Sequence, residues 1–366
     1  MMDGSGADRA RFSVAHVAFA GGNGFPPEDT GGVQSSTDDL ARRLLARGDK
    51  VTVLAPLYGH GWFGFAARAK LKIGGGLLAR DRRHGYDVFR AWFPEAAVSE
   101  FVDIERPNVA VVQCHNTVPI AKAFRRRGVP VVIYFRNVEF NELGGSLDDL
   151  QDAQFIANSQ FTADACRAKF GVEATIIPPT LQAERYRVLP VGRQVTLINP
   201  VKSKGLDLAI SLAAACPDIP FLFQESWLLA PRDRAELEAA IQPYNNIRFA
   251  RRTQDIRAVY AQTRVLLAPS LWAEAWGRVA SEAQVSGIPV LGSTSGGLPE
   301  AIGPGGVTLD YAAGPDVWAA ALRRIWDDPH RYAVVSAAAK SHAMRPEMDP
   351  DHQFSVFRSV LQRALS

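Results

Sequence analysis

Two glutamates, Glu274 and Glu282, lie eight residues apart in the segment of the chain with the clearest chemical pattern. Gly277 stands between them, and apolar periodicity from Arg278 to Val285 predicts a helix that begins at this glycine. The first backbone N–H groups of such a helix have no partner within it and, with the helix dipole, they favour a phosphate. Ionised glutamates accept hydrogen bonds only, which suits hydroxyl groups. One short segment therefore combines groups for a phosphate with groups for hydroxyls.

Taken alone, the two glutamates have a plainer interpretation, in which Glu274 caps the helix and Glu282 is a solvated helix residue. The neighbouring residues favour binding instead, because further motifs follow in order over more than thirty residues. These motifs are Ala268-Pro269-Ser270, Glu274-x-Trp276-Gly277, Glu282-Ala283, Gly287-x-Pro289-Val290 and Gly296-Gly297-x-Pro299-Glu300. Together they suit a bound nucleotide sugar.

This ordered set of motifs resembles the retaining family-4 glycosyltransferases of GT-B fold. The resemblance implies an α/β protein with two Rossmann-like parallel-sheet domains facing a cleft, and a C-terminal helix that crosses back to the first domain. It implies that Glu274 contacts the hydroxyls of a donor sugar and Glu282 those of a ribose. By the same resemblance, the donor sugar and diphosphate are lined by the amides of Trp276, Gly277, Arg278 and Val279.

Two lysines lie beside another predicted helix start, in Lys202-Ser203-Lys204-Gly205. Cations at this end oppose the helix dipole and favour a nearby anion, although a solvated turn is the plainer alternative. The resemblance matches Lys204-Gly205 to a Lys-Gly pair that the family places on the diphosphate. The family's Arg partner is missing, since Asn199-Pro200-Val201 occupies a shortened loop. Lys202 would replace it with a point charge where arginine offers a planar fork.

Other candidates follow predicted strands. Gly31 and Gly32 open a helix after the first strand, either as a plain turn or, by resemblance, as the glycine loop on the donor diphosphate. His115 follows the strand Val109 to Val112, where open α/β sheets bind ligands, and the resemblance places it near the reacting sugar. Arg252 lies in a loop that the family runs past the nucleotide base, or it is a surface cation.

Two further positions follow the next strands by the same logic. Arg136 and Asn137 come directly after the strand Val131 to Tyr134, and Ser159 comes after Phe155 to Ala157. The resemblance gives Ser159 a counterpart whose role varies within the family. These residues are weaker site candidates than His115.

Strand and helix patterns alternate along the chain, which predicts two α/β domains with parallel sheets. The predicted strands include Phe12 to Ala20, Val51 to Leu54, Val195 to Ile198, Phe221 to Phe223, Ile247 to Phe249, Val265 to Ala268, Pro289 to Leu291 and Val307 to Leu309. Helices are predicted over Ser35 to Arg47, Leu206 to Ala215 and Asp351 to Leu365. We expect a disordered leader over 1–10, an acceptor-side domain over 11–190, a nucleotide-sugar domain over 191–349 with a boundary near Pro190 to Gly192, and a crossover helix over 350–366.

Composition excludes several classes of protein. A chain of 366 residues with 47% hydrophobic content is long enough for two cores, and a net charge of +3 does not favour nucleic acid. The three cysteines, Cys114, Cys166 and Cys216, support neither a disulfide framework nor a zinc site. With no signal-peptide pattern and no long apolar run, we expect a cytoplasmic protein with buried free thiols.

A basic stretch interleaved with apolar residues leaves two interpretations open. It contains Lys70, Lys72, Arg80, Arg82 and Arg83. It could rest on an anionic membrane or receive an acidic acceptor, or it could be a charged surface loop. Gly74-Gly75-Gly76 interrupts any helix here and favours the loop.

The sequence therefore predicts a retaining, metal-independent hexosyltransferase that takes a nucleoside-diphosphate sugar, UDP- or GDP-linked, and an unidentified acceptor hydroxyl. We expect His115, Lys204 and Glu274 to act in catalysis, with no cofactor and no metal ligands. Alternatives are a GT-B protein that binds nucleotide sugars without turnover and a GT-B nucleotide-sugar epimerase. An NAD-dependent oxidoreductase is disfavoured, since the G-x-G-x-x-G fingerprint is absent.

Overall fold

The computed structural model describes residues 16–22, 31–57, 61–82 and 84–366, and of Phe63 the backbone alone. The predicted leader over 1–10 and the first part of the predicted strand Phe12 to Ala20 lie outside these residues. The chain divides into two compact units. The first unit runs to Thr180 and adds Asp351–Ser366, and the second unit is Leu181–Pro350.

The first unit contains an eight-stranded sheet among its described residues. Its strands are β1 His16–Gly21, β2 Lys50–Pro56, β3 Ala79–Asp81, β4 Asp87–Ala91, β5 Val109–Gln113, β6 Val131–Phe135, β7 Gln154–Ala157 and β8 Thr175–Ile176. They lie in the order β3-β4-β2-β1-β5-β6-β7-β8, and all neighbours are parallel except β3 and β4. The carboxyl ends of β1, β2, β4, β5, β6 and β7 therefore share one edge, where site residues are expected.

Both faces of this sheet are covered, which explains its near-continuous apolar strands. Along β1, Ala18 and Ala20 pack into one core cluster, whereas Val17 and Phe19 pack into the cluster on the opposite face. The helices of the unit are α1 Gly32–Ala46, α2 Gly61–Gly74, α3 Pro94–Glu105, α4 Thr117–Arg126, α5 Gln160–Phe170 and the C-terminal helix α13 Pro350–Leu365.

The C-terminal helix α13 belongs to the first unit apart from its first residue. Its Phe354, Phe357, Val360 and Leu361 are buried in the same cluster as Phe19 of β1. The rings of Phe19 and Phe357 stack with centroids 6.2 Å apart. The apolar residues of the predicted C-terminal helix thus close one face of this core.

The second unit has a six-stranded, fully parallel sheet of order β11-β10-β9-β12-β13-β14. Its strands are β9 Gln194–Ile198, β10 Phe221–Gln224, β11 Ile247–Ala250, β12 Thr263–Ala268, β13 Val290–Ser293 and β14 Gly306–Leu309. Its helices are α6 Leu206–Ala215, α7 Pro231–Ile241, α8 Ile256–Gln262, α9 Arg278–Gln284, α10 Leu298–Ile302, α11 Pro315–Trp326 and α12 Pro329–Ala343. All six strands match the predicted ones within a few residues.

The division between the units comes after Thr180, earlier in the chain than the predicted boundary at Pro190 to Gly192. Tyr186 and Val188 lie in the intervening segment and pack against a core cluster of the second unit. The N–H of Val188 also donates to Ser286 Oγ at 2.9 Å. This segment therefore begins the second unit and does not end the first.

The stretch around the glycine run differs from its predicted structure. A helix, α2, was not predicted here; it ends at Gly74, the first glycine of the run, and Gly75 and Gly76 follow it. Arg80 lies on strand β3, so the basic stretch is neither a single loop nor a single helix. Strand β4 escaped prediction because it contains Arg90, which is fully buried beside Asp81.

Cys114, Cys166 and Cys216 are free and buried, as expected. Burial raises the pKa of the Cys114 thiol to about 12 and that of Cys166 to about 12. Among the described residues, no helix has both the length and the apolar character needed to span a membrane.

Candidate functional site

Lys204 and Glu274 form an ion pair at the carboxyl end of the second unit's sheet. The Lys204 ammonium donates to Glu274 Oε1, and Ser270 Oγ donates to the same oxygen at 3.1 Å. The side chains of Lys204 and Glu274 are only 15% and 18% exposed, so solvent and salt screen the pair less than a surface pair. The two residues that the sequence singled out separately thus lie in contact.

Close backbone packing holds the segments that carry this pair. Gly205 has φ +80°, and a Cβ added there would lie 1.9 Å from the carbonyl oxygen of Pro269. The N–H groups of Leu271 and Trp272 both donate to the carbonyl of Ser203 at 3.0 Å. Glycine is therefore required after Lys204, because only glycine allows this approach and this conformation.

The Gly296-Gly297 pair has a similar role toward Glu274. The N–H of Gly297 donates to the Glu274 carbonyl at 2.6 Å. A Cβ on Gly296, which has φ +62°, would lie 2.3 Å from that carbonyl oxygen. The distant Gly-Gly motif thus fixes the backbone of Glu274.

Two exposed tryptophans flank Lys204. Its Nζ lies 5.2 Å from the ring centroid of Trp227 and 5.9 Å from that of Trp272. The backbone N–H of Trp227 donates to Asn199 Oδ1 at 2.6 Å, and Asn199 has φ +59°. Asn199, in the shortened segment where the resemblance leads us to expect an arginine, therefore caps a loop that positions an aromatic ring beside Lys204. Sequence reasoning missed both tryptophans.

Glu282 is the centre of a second cluster. Its Oε2 accepts from the Tyr260 hydroxyl at 2.8 Å, and its Oε1 accepts from Arg278 Nε at 3.3 Å. Arg278 also donates to the Tyr186 hydroxyl at 3.2 Å. Burial, and then the charge of Glu282, raise the pKa of Tyr260 well above its ordinary value, so this hydroxyl remains a donor. A carboxylate has about four acceptor positions, which leaves capacity for ligand hydroxyls.

The start of α9 has the predicted position. Gly277 precedes the helix with φ +98°, and a Cβ there would lie 2.5 Å from Leu298 Cδ2. The Trp276 indole is buried and donates to Ser281 Oγ at 3.0 Å. Val279 is half-buried against a core cluster. Any hydrogen bond from Trp276 or Val279 to a ligand would therefore come from the backbone.

Arg252 follows β11, and its backbone is held by a carboxylate that sequence reasoning missed. Glu225 is 2% exposed and accepts from the N–H of Arg252 at 3.1 Å, the N–H of Leu229 at 3.0 Å and the guanidinium of Arg234 at 2.8 Å. Burial would raise the pKa of Glu225, but these hydrogen bonds outweigh it and lower that pKa. The sequence feature that could have indicated Glu225 is its position directly after the apolar strand β10.

Lys202 does not join the Lys204 cluster. Its side chain is exposed, and its carbonyl accepts from the N–H of Gly205 in the turn before α6. The described structure therefore brings one of the two predicted lysines to Glu274.

His115 lies at the carboxyl end of β5 in the first unit, in an uncommon turn. The residues on both sides, Cys114 at φ +65° and Asn116 at φ +57°, have left-handed backbone conformations. Such conformations in non-glycine residues cluster at functional sites. The His115 side chain is exposed, and its carbonyl accepts from Gly22 N at 2.9 Å. The turn thus presents an imidazole to solvent at the edge where ligands bind.

A small cavity opens beside this turn, at the carboxyl ends of β1, β2 and β5. Its lining includes Gly21, Val33, Gln34, Gln113 and Cys114. Gly31 is the N-cap of α1 and Gly32 its first residue. The predicted glycine loop therefore ends directly before the helix whose first turn lines this cavity.

Arg136 and Ser159 have structural positions. Arg136 is buried, lies 3.4 Å from the ring centroid of Tyr134, and donates to Gln113 Oε1 at 3.0 Å. Ser159 is fully buried and caps α5 by accepting from the N–H of Thr162 at 3.0 Å. Asn137 donates to Glu142 Oε2 at 3.2 Å. These three side chains support the edge of the sheet.

No group of three or more His, Cys, Asp or Glu side chains within the described ranges is placed to hold a metal ion. In the second unit, the Lys204 ammonium and backbone amides are available to an anionic ligand.

Both halves of the chain match known family profiles. Residues 30–185 match the profile of Glycosyltransferase Family 4, and residues 196–328 match that of Glycosyl transferases group 1. The D-inositol 3-phosphate glycosyltransferase of Corynebacterium kroppenstedtii is 36% identical over 110 residues, which are 30% of this chain and 24% of that protein. The chain thus matches about a quarter of the length of such curated relatives.

Solved structures resemble the whole chain. A glycosyltransferase from Rickettsia africae has a TM-score of 0.75 at 12% identity, over 96% of this chain and 100% of that one. Anabaena HepE, solved in complex with UDP and glucose, has a TM-score of 0.73 at 20% identity, over 95% of this chain and 99% of that one. These similarities confirm the GT-B fold predicted from the sequence. Since the two family profiles together account for well over half of its residues, the chain belongs to the family-4, group 1 glycosyltransferases.

Proposed function

We propose that this protein transfers a hexose from a nucleoside-diphosphate sugar to an acceptor hydroxyl, with retention of anomeric configuration and without a metal ion. The observation that carries the proposal is the Lys204–Glu274 pair, which lies in the second unit together with the Glu282 cluster. This unit offers a cation for a diphosphate and two carboxylates for hydroxyls, and the chain belongs to a family that transfers sugars.

In this proposal, Lys204 stabilises the diphosphate as it departs. The bond between the anomeric carbon and the diphosphate oxygen breaks, and its electron pair leaves with the diphosphate. A fixed cation in a partly desolvated site lowers the energy of that developing charge. Glu274 holds Lys204 in place before the donor arrives and accepts from the donor sugar hydroxyls. The backbone amides from Trp276 to Val279 add further donors for the sugar and the diphosphate.

Glu282 holds the ribose of the donor. Tyr260 and Arg278 fix its carboxylate from two sides, which reduces the entropy lost when hydroxyls bind. The loop at Arg252 passes the base through backbone contacts and is kept in place by Glu225. UDP is the first nucleotide to test, because the similar HepE structure contains UDP and glucose, and GDP is the second.

The acceptor binds to the first unit in this proposal. Its hydroxyl oxygen bonds to the anomeric carbon on the face from which the diphosphate leaves, and the hydroxyl proton passes to the diphosphate. His115 lies near the reacting sugar, and Gly31 and Gly32 approach the donor diphosphate. Relatives named for D-inositol 3-phosphate make that compound one acceptor to test among others.

A second candidate function is binding of a nucleotide sugar without turnover. The observation that favours it is Asn199, which caps the loop at Trp227 and lies in the segment where the resemblance leads us to expect an arginine. Lys202 is exposed and does not contact Glu274, so the diphosphate would meet one lysine in place of an Arg-Lys pair. An epimerase has no comparable observation in its favour.

The test begins with calorimetric binding of UDP, GDP, ADP and dTDP to the full chain and to Lys204→Ala and Glu282→Gln. We expect one nucleotide to bind at micromolar strength and each substitution to weaken it by about tenfold or more, as for one lost charge-assisted hydrogen bond. Lys340→Ala and Glu236→Gln are matched controls, since both residues are exposed on helices of the second unit. Equal loss in the controls, or no nucleotide binding, would refute the site.

Turnover is then measured with the corresponding nucleotide sugar and a panel of hydroxyl acceptors, without added metal and with a chelator. An α-linked product from an α-linked donor, read by proton NMR, would establish transfer with retention. Donor binding without product from any acceptor would favour the second candidate function, whereas epimerised donor without acceptor would favour an epimerase.

A further inference from the structure

One helix of the first unit turns an apolar stripe away from the protein. In α2, Trp62, Ala66, Ala69 and Ile73 follow the spacing i, i+4, i+7, i+11, which places them on one helix face. Trp62 is 85% exposed and Ile73 is 87% exposed. Phe65 is 62% exposed and lies beside Trp62, with ring centroids 6.2 Å apart in an edge contact.

The opposite face of α2 already supplies the packing that the fold needs. Ala67 and Leu71 are buried there, against Leu57 and Ala79. A surface helix ordinarily buries one apolar stripe and exposes a polar face. The exposed stripe of α2 is therefore a second apolar face that the core does not use, and contiguous exposed apolar surface of this kind marks an interaction site.

The charges on α2 all have one sign. The helix contains Arg68, Lys70 and Lys72 and no acidic residue. At about 100° per residue, Lys70 and Lys72 lie on the two sides of the apolar stripe. Both are exposed, and neither forms an ion pair with another residue of the described ranges. The cations of the following strand differ, because Arg80 and Arg82 both lie beside Asp87.

Two further exposed aromatic residues follow strand β4, whose carboxyl end lies beside that of β2. The N–H of Leu57, which follows β2, donates to the carbonyl of Ala91 at the end of β4. The next residues after Ala91 are Trp92 and Phe93, which are 48% and 67% exposed. The first unit therefore exposes two further aromatic side chains directly after β4.

We propose that the exposed face of α2, with Trp62, Phe65, Ile73, Lys70 and Lys72, binds the surface of an anionic lipid bilayer with the helix lying in the membrane plane. An apolar stripe between cations is the pattern of interfacial helices, in which aromatic and aliphatic side chains enter the headgroup region and cations meet anionic lipids. A second copy of the chain fits less well, because a symmetric contact through this face would bring the same cations together.

The experiment is co-sedimentation of the full chain with vesicles of phosphatidylcholine, with and without about 30% phosphatidylglycerol. We expect binding to the anionic vesicles that weakens as salt is added. Charge reversal in Lys70→Glu/Lys72→Glu should lower the partition coefficient by about thirtyfold or more, and Trp62→Ser by about tenfold. These residues are exposed, so the variants should keep the fold.

Matched controls are Lys169→Glu/Lys340→Glu, which reverses two exposed lysines elsewhere, and Leu189→Ser, which removes a leucine that is 91% exposed. The proposal requires both controls to bind vesicles within about twofold of the wild type. Lack of binding to anionic vesicles, or equal loss in the controls, would overturn it. The proposal would also be overturned if light scattering showed that the wild type is an oligomer and that Trp62→Ser dissociates it. That result would assign the face to a second copy of the chain. Nucleotide affinity should be unchanged in all variants, which separates this test from that of sugar transfer.

Discussion

Gly205 offers the sharpest test of how the second unit holds Lys204 beside Glu274. Its backbone meets that of Pro269, so that the loop carrying Lys204 packs directly on the loop that leads to Glu274. We predict that Gly205→Ala destabilises the second unit and weakens nucleotide binding together. Gly314→Ala is the control, because Gly314 lies in the same unit and also has a positive φ, although its ψ of 164° differs from the 33° of Gly205.

The expected cost follows from two contributions. Gly205 has φ +80° and Gly314 has φ +84°, and an L-residue in either conformation costs about 1–3 kcal/mol. A Cβ added at Gly314 would have no atom of the described residues within 4 Å. A Cβ added at Gly205 would lie 1.9 Å from the carbonyl oxygen of Pro269. Forcing a methyl group into a packed site adds about 1–3 kcal/mol. We therefore expect about 1–3 kcal/mol for Gly314→Ala and about 2–6 kcal/mol for Gly205→Ala.

Urea unfolding of both variants gives the free energies of unfolding, and calorimetry at low temperature gives nucleotide affinity while the proteins remain folded. If Gly205→Ala relaxes by moving its loop, Lys204 shifts from Glu274 and affinity falls by about tenfold or more. Gly314→Ala should keep its affinity. Equal stability and equal affinity for the two variants would refute the argument that this close approach positions the lysine.

Three further predictions follow from single contacts. Tyr260→Phe removes the hydroxyl that donates to Glu282 and should weaken nucleotide binding by about tenfold in calorimetry; unchanged affinity would show that Glu282 needs no such support. Asn199→Gly keeps a left-handed backbone but removes the acceptor for the Trp227 N–H, so hydrogen exchange at that amide should become at least about tenfold faster. Burial, and then the charge of Lys50, lower the pKa of His16. As the pH falls below about 6.5, the unfolded chain therefore binds a proton at His16 before the folded chain does. The stability conferred by the neutral imidazole is therefore fully present above that pH and is lost as the pH falls through the folded pKa of His16. In His16→Gln, urea unfolding at several pH values should show a smaller decrease in the free energy of unfolding over this range.

Local patterns were sufficient to predict most of the strands, the starts of α6 and α9, and the fold. Helix α6 begins at Leu206 and α9 at Arg278, as predicted, since glycines at 205 and 277 mark both starts. The placement of Lys204 just before α6 and of Glu282 one turn into α9 follows from these local signals alone. The sheet edge that carries His115 was likewise predictable from the end of an apolar strand.

The partners of these residues were not predictable, because they come from distant parts of the chain. Tyr260 and Tyr186 reach Glu282 and Arg278 from 22 and 92 residues away in sequence. Nothing in a local pattern distinguishes such a tyrosine from a core residue. The contacts of Arg136 were not predictable for a related reason: its position after a strand indicates the sheet edge, but not that its guanidinium contacts Tyr134 and Gln113.

The membership of α13 in the first unit has a consequence for biosynthesis. One core of that unit contains Phe354, Phe357, Val360 and Leu361, which are translated after the whole second unit. The second unit is thus inserted in the chain between parts of the first, and it can fold on the ribosome while the first still lacks one face of its core. At about 5–20 residues per second, the segment from Leu181 to Leu361 takes roughly 10–40 s to emerge. During that interval the apolar side chains of α1 and β1, including Phe19 and Leu40, remain without their final cover, and they are where we expect chaperones to bind the nascent protein.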